Sequence, residues 1–228
     1  MKDIFLIFDC GGVLANDMQY SLIKSLVTKY KPQDQSKLSS VLDRCWRKIR
    51  IDNTFTDVMF YQEVLKEMEF DYHAMGTDHD KLLNDLLVST LTDFTCFNQT
   101  LDVLKQVAAK ENPNVHMCIL SNHGFNWFQY IFQHYSFDTV FKCYPLVMVS
   151  CDLHLYKPQL EIFEFSFNHL KTLYPKADKQ FCLFVDDKLA NCEAAKQVGF
   201  VPYQFNSAIN NVSDLKHTLE EFISNSSK

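Results

Sequence analysis

Apolar positions follow two rhythms along the chain. Ile4, Phe5, Leu6, Ile7 and Phe8 are consecutive, without the every-second-residue break of a half-exposed strand. They predict a strand covered on both faces, as in a parallel sheet between layers of helices. Similar runs fall at residues 115–120, 146–150, 181–185 and 200–205. Elsewhere the spacing lengthens to three or four residues. Tyr20, Ile23, Val27 and Tyr30 mark a helix over 18–30 that Lys31-Pro32 would stop. Leu38, Val41, Leu42, Cys45, Trp46 and Ile49 mark one over 36–49, Phe60, Val64 and Leu65 one over 56–68, and Leu82, Leu83, Leu86, Leu87 and Leu91 one over 80–92. Leu101, Leu104, Val107 and Ala108 predict a helix capped by Asn98. Further helices are expected at 125–135, at 162–170, around Asn191, Ala194 and Ala195 with an end at Gly199, and at 215–223.

Four amphipathic helices without an intervening strand read as a helical bundle inserted into an α/β fold. The expected organisation is therefore a core of residues 1–17 and 94–228 with a helical cap of residues 18–93. Within the cap, Trp46, Arg47 and Arg50 could line a substrate pocket; against that, Trp46 lies on the apolar stripe and is expected in the bundle core, while Arg47 and Arg50 lie off it and are expected on the solvated surface. The aromatic residues of 125–135, among them Trp127, Phe128, Tyr130 and Phe132, are expected to pack on the sheet.

Composition narrows the class. With 228 residues, 47% of them apolar and 22% charged, the chain can bury a sizeable core as a soluble globular protein. A formal charge of −6 argues against nucleic acid as a partner. The eight cysteines are scattered, form no CxxC pair and have no arginine six residues on. That excludes the usual zinc, redox and cysteine-phosphatase signatures and suits reduced thiols in a cytoplasmic protein. The first apolar run ends at Asp9, too early for a signal peptide or a membrane span. On that reading the glycosylation patterns at Asn98, Asn211 and Asn225 are coincidental, and the polar residues 224–228 are expected to fray.

Candidate chemistry gathers where the apolar runs end. Asp9 closes the first run, and Gly11 and Gly12 then permit a sharp turn and close approach of a ligand. Alone, this is equally an Asp-capped surface turn. Ser121-Asn122-His123-Gly124 closes the second run ahead of a helix whose N–H groups favour an anion, although Ser and Asn are also ordinary helix caps. Lys157 precedes Pro158 in what alone reads as a solvated loop. Asp186-Asp187 closes another run, and two adjacent carboxylates there are costly without a cation. Magnesium suits them, since it takes one or two carboxylates and keeps places for water and phosphate oxygens.

In this order, strand–Asp, strand–Ser, Lys and strand–paired acids resemble the four motifs of the haloacid dehalogenase-like (HAD) hydrolase superfamily. FDCGGVL, LSN, YKPQLEIF and FVDDKLANCEAAKQVG carry the likeness, which spans residues 4–205. The resemblance implies a Rossmann-like three-layer core with a parallel sheet and a cap of the first subclass. It also implies a phosphatase that passes through an aspartyl phosphate. Asp9 would be the nucleophile; Asp9, the carbonyl of Gly11 and Asp186 would hold Mg2+; Asp187 would orient metal-bound water. Ser121, Asn122 and Lys157 would bind the phosphoryl group, with Lys157 also steadying Asp9. The implied partner is a small phosphorylated metabolite, with no nucleic acid or membrane involved. A receiver domain of two-component signalling uses similar residues, but it is little more than half this length and has its acid pair near the start.

One position departs from the family pattern. Its phosphatases usually carry a second acid two residues after the nucleophile, and here that residue is Gly11. Three readings follow: another group such as Asp17 or water moves the proton, the leaving group needs none, as with the halide of a dehalogenase, or the protein binds phosphate or a partner without turnover. The acid pair favours the first. His123 beside the second motif has no assigned role, and neither the ester nor the oligomeric state is legible.

Overall fold

A computed structural model describes residues 2–30 and 36–227. Strand β1 (Ile4–Phe8) is followed by five helices among the described residues, α1 (Ser21–Tyr30), α2 (Lys37–Ile49), α3 (Asp57–Met68), α4 (Tyr72–Met75) and α5 (His79–Asp93). Then come α6 (Asn98–Ala108), β2 (Val115–Ser121), α7 (Phe125–His134), β3 (Val147–Val149), α8 (Ser150–Leu153) and α9 (Leu160–Leu173). The chain closes with β4 (Cys182–Asp186), α10 (Leu189–Val198), β5 (Val201–Gln204) and α11 (Val212–Ser226). None of the helices among the described residues is long and apolar enough to cross a membrane.

The strands pair in parallel in the order β3-β2-β1-β4-β5. The unbroken apolar run of β1 has the expected cause. Ile4, Leu6 and Phe8 enter a core shared with α6, α7 and α11, while Phe5 and Ile7 enter a second core with α9 and α10. The result is an α/β/α layering with β1 in the middle of the sheet.

The inserted helices share the first of these cores. Phe60 of α3 is fully buried, with ring centroids 5.9 Å from Tyr20, 5.1 Å from Tyr61 and 5.1 Å from Trp127 of α7. At the start of α7 a β-carbon on Gly124 would stand 2.8 Å from Cγ1 of Ile49, so α2 packs against backbone there. The two linkers to the insertion are stitched together. The Asn16 side chain donates to the Asp93 carbonyl at 2.8 Å and accepts from the Thr95 N–H at 2.7 Å, while the Ser21 N–H donates to the Asp93 carboxylate at 2.9 Å.

Several expectations need correction. Helix α1 begins at Ser21 rather than residue 18, because Tyr20 takes a φ of 54° and turns the linker before the helix can start. The expected stop at Lys31-Pro32 lies outside the described residues. Asn98 is the first helical residue of α6 rather than its cap, which is Phe97, with no side-chain capping bond. The third strand is confined to Val147–Val149, since Leu146 ends a 3-10 turn and Ser150 starts α8. Helix α11 continues to Ser226, itself buried, so residues 224–226 are helical rather than frayed. Helices α4 and α8, of four residues each, are too short to carry a period and were not foreseen.

Phe60→Ala removes a side chain that three other rings enclose. The expected outcome is a loss of about 3–5 kcal/mol in stability, read from the urea midpoint. A loss within error would show that the insertion and α7 do not share a core.

Candidate active site

In an open parallel sheet, ligands bind beyond the carboxyl ends of strands where the order reverses. Here β1 has β2 on one side and β4 on the other. Phe8 is in register with Val185, and the Asp9 N–H donates to the Val185 carbonyl at 2.9 Å. One step further along both strands, Asp9 and Asp186 lie side by side at the sheet edge. Phe8 is also in register with Ile119, which carries Ser121 to the same edge.

Between the two acids stands Lys157, brought in by the loop between α8 and α9. Its Nζ is 2.9 Å from Asp9 Oδ1 and 2.6 Å from Asp186 Oδ2, and it is 1% exposed. Burial by itself would lower the pKa of this ammonium, but Asp186 and Asp9 outweigh burial and hold it above its ordinary value. The solvated loop lysine expected from local sequence is therefore a buried ion. Asn122 fixes its place, since the amide accepts from the Lys157 N–H and donates to the Lys157 carbonyl, each at 2.8 Å. The polar ends of Asn122, expected to bind a phosphoryl group, are thus engaged by the Lys157 backbone.

The carboxylates are held just as closely. Asp9 Oδ1 also accepts from the Cys10 N–H at 2.7 Å. Asp186 accepts from the Lys188 N–H at 2.9 Å and is forked by the buried Asn191 amide at 2.9 and 3.0 Å. Burial pushes the Asp186 carboxyl up, Lys157 pulls it back, and Asp9 adds to the rise. Asp187 is pushed up to about 6 by burial, against the pull of Lys188, and its Oδ1 is buried with no hydrogen-bond partner. Gly12 is required beside it, because it has a φ of 74° and a β-carbon there would meet Asp187 Cγ at 2.5 Å.

Asp9, Asp186 and Asp187 each offer an oxygen, and these oxygens lie within 4.8 Å of one another. Counted as formal charges, three carboxylates against the one buried ammonium of Lys157 leave two negative charges. That is the charge of one divalent cation, and an orphaned buried oxygen on Asp187 fits such an ion as well. The Ser121 hydroxyl, at the end of β2, is also fully buried and has no partner among the described residues.

A cleft of about 430 Å³ opens over Asp9, Gly11, Asn122 and Lys157. The segment between β1 and α6 adds Tyr20, Asp43, Trp46 and Arg50 to its lining. Trp46 is partly buried as its stripe position implied, stacked 6.2 Å from Trp127, yet it also faces this cleft. Arg50 departs from expectation. It is half-buried in the cleft wall, its guanidinium 4.2 Å from the centre of the Tyr156 ring and its Nε buried without a partner. Arg47 is exposed, as expected. His123 lines the cleft too, and burial pushes its pKa down to about 4, so the imidazole is neutral at pH 7.

No protein-family model matches the sequence, and no curated protein is significantly similar to it. Solved structures are similar in fold. A HAD family enzyme from Bacteroides thetaiotaomicron aligns with a TM-score of 0.69 at 18% identity, over 94% of this chain and 98% of that one. The same enzyme in complex with magnesium and inorganic phosphate aligns with a TM-score of 0.66 at 17% identity, over 91% and 96%. A HAD-like family hydrolase from Porphyromonas gingivalis aligns with a TM-score of 0.64 at 17% identity, over 96% and 98%. This chain has the HAD fold. The likeness covers the inserted helices as well as the sheet, since it runs over nine-tenths or more of each chain.

Within this HAD fold, several features of the site were not read from the sequence. Asn122 was singled out, but not its clamp on Lys157. Periodicity leaves Arg50 either in a pocket or on the surface, because it registers only which face of a helix is apolar, and the end of α2 meets a cleft that it does not describe. Ser150 received no role, yet its buried hydroxyl donates to the Arg50 carbonyl and accepts from the His123 N–H, joining the inserted helices to the second motif.

Lys157→Met leaves Asp9 and Asp186 facing each other without a cation. The variant should lose about 3–5 kcal/mol at pH 7, and less at pH 5, because burial already raises the Asp186 carboxyl and the pull of Lys157 is gone; urea titrations at both values would measure it, and a pH-independent loss would contradict it. Asp187 gives a slope of the same sign in the unsubstituted protein in a chelator. Its folded pKa lies above the unfolded value of about 3.9, so the folded state binds more protons between about pH 4 and about pH 6 and stability falls as pH rises through that window. Asp187→Asn should flatten this fall and raise the melting temperature above pH 6 in a chelator.

Proposed function

We propose that this protein is a magnesium-dependent phosphatase that hydrolyses a small phosphomonoester through an aspartyl phosphate on Asp9. The observation that carries the reading is the cluster of three carboxylates, two of them bonded to a buried lysine, at the reversal point of the sheet. Asp9, at the end of β1 and bonded to Lys157, would be the nucleophile. Asp9 and Asp186 would hold the ion, with Asp187 beside them to orient its water. Magnesium, when bound, neutralises phosphate charge that would repel the incoming carboxylate. The magnesium and phosphate bound by the Bacteroides enzyme support the same reading.

The chain's own residues supply the rest. An oxygen of Asp9 attacks phosphorus and the ester oxygen departs, leaving phosphate on Asp9. Lys157 holds Asp9 in line and offsets charge that develops on the phosphoryl oxygens. The unpaired hydroxyl of Ser121 is a donor for one of those oxygens. Water then attacks the aspartyl phosphate, releasing inorganic phosphate and restoring the carboxylate. A cleft of about 430 Å³ suits a metabolite-sized ester. Eight free cysteines suit the reducing cytoplasm.

A series of phosphate esters, assayed with magnesium and with a chelator, tests this reading. The expected result is turnover that requires the metal and disappears in Asp9→Asn. Halide release without metal, or phosphate binding without turnover of any ester, would overturn it.

A further inference from the structure

Position 11, two residues after the proposed nucleophile, has no side chain. The space that a side chain there would enter is occupied. A β-carbon on Gly11 would stand 2.5 Å from Oδ1 of Asp17, so the Asp17 carboxylate reaches back over the Gly11 backbone. Asp17, Gly11 and Asp9 line the same cleft.

The loop that returns Asp17 to this point is well ordered by hydrogen bonds. The N–H groups of Leu14 and Ala15 donate to the Cys10 carbonyl at 2.8 and 2.9 Å, and the Gly12 N–H donates to the Ala15 carbonyl at 2.7 Å. Asn16, immediately before Asp17, is bonded through its N–H, its side-chain amide and its side-chain oxygen to residues 93–95. On the other side Gln19 donates to the Asp17 carbonyl at 2.7 Å. The carboxylate itself remains half-exposed to the cleft, with Lys188 Nζ 3.7 Å away.

We propose that Asp17 is the proton donor and acceptor of the reaction, delivered from six residues further along the chain to the place that a side chain at position 11 would have taken. The proposal rests on the phosphatase reading. Protonated Asp17 gives its proton to the bridging ester oxygen as the P–O bond breaks and the bond from Asp9 to phosphorus forms, so the leaving group departs as a neutral alcohol. The resulting carboxylate takes a proton from the water that attacks the aspartyl phosphate. The bond from phosphorus to Asp9 then breaks, and Asp17 is protonated again for the next turn.

A side chain at position 11 would meet the Asp17 carboxylate and displace it from this place. A second acid on the cleft wall, Asp43, comes from α2 and has no such relation to Gly11.

The test compares Asp17→Asn with wild type on aryl and alkyl phosphates at saturating magnesium. General acid help matters most for a basic leaving group. Turnover of alkyl phosphates should therefore fall by about 10²–10⁴-fold, while 4-nitrophenyl phosphate, whose leaving group needs no proton, loses less than about tenfold. Aryl turnover kept within that factor also reports an intact fold. A second arm uses Gly11→Asp alone and combined with Asp17→Ala. The single variant displaces the Asp17 carboxylate, and the pair should recover alkyl turnover relative to Asp17→Ala. Equal slowing of aryl and alkyl esters by Asp17→Asn, or no slowing of either, overturns the role of Asp17 alone. A wild type inert toward the whole series, or an active Asp9→Asn, overturns it together with the phosphatase reading.

Discussion

The buried ammonium of Lys157 between Asp9 and Asp186 is the constraint around which this molecule is arranged. Removing three ions from water costs several kcal/mol each unless every one is paired and hydrogen-bonded. The neighbourhood satisfies that condition in detail. Asn122 seizes the Lys157 backbone, Asn191 and the Lys188 N–H take the oxygens of Asp186, and the Cys10 N–H takes Asp9. These contacts join residues from β1, the end of β2, the loop before α9 and the end of β4. Sheet order is thereby tied to charge, because β1 must stand directly between β2 and β4 for the three ions to meet.

One ammonium does not balance the cluster. Asp187 adds a third carboxylate, packed against Gly12 where no other residue fits, and keeps a buried oxygen without a partner. A folded protein rarely tolerates such an atom without a function. A divalent cation would offset this excess of negative charge, while burial, with the neighbouring acids adding to it, raises the Asp187 pKa.

The inserted helices are not an appendage. Phe60 and Trp127 unite them with the α7 layer, and Ser150 bonds the end of α2 to the N–H of His123. The cleft is therefore lined both from the sheet edge and from the segment between β1 and α6. Burial keeps His123 neutral within that lining, so the charged groups near the reacting end are the acids, Lys157 and Lys188.

Much of this was legible in the sequence by itself. An apolar run such as Ile4 to Phe8 has one comfortable environment, between two helix layers, and strand after strand of that kind implies a parallel sheet. The chemistry-bearing residues at the ends of those runs followed from the same pattern, because a strand's end is a local property. What only the tertiary structure decided were relations across the chain: that Lys157 is buried rather than solvated, that Asn122 serves Lys157, that Arg50 enters the cleft, and that Asp17 folds back over Gly11. Periodicity reports which face of an element is apolar. It carries no information on what stands opposite an element's end, and that is where this site is built.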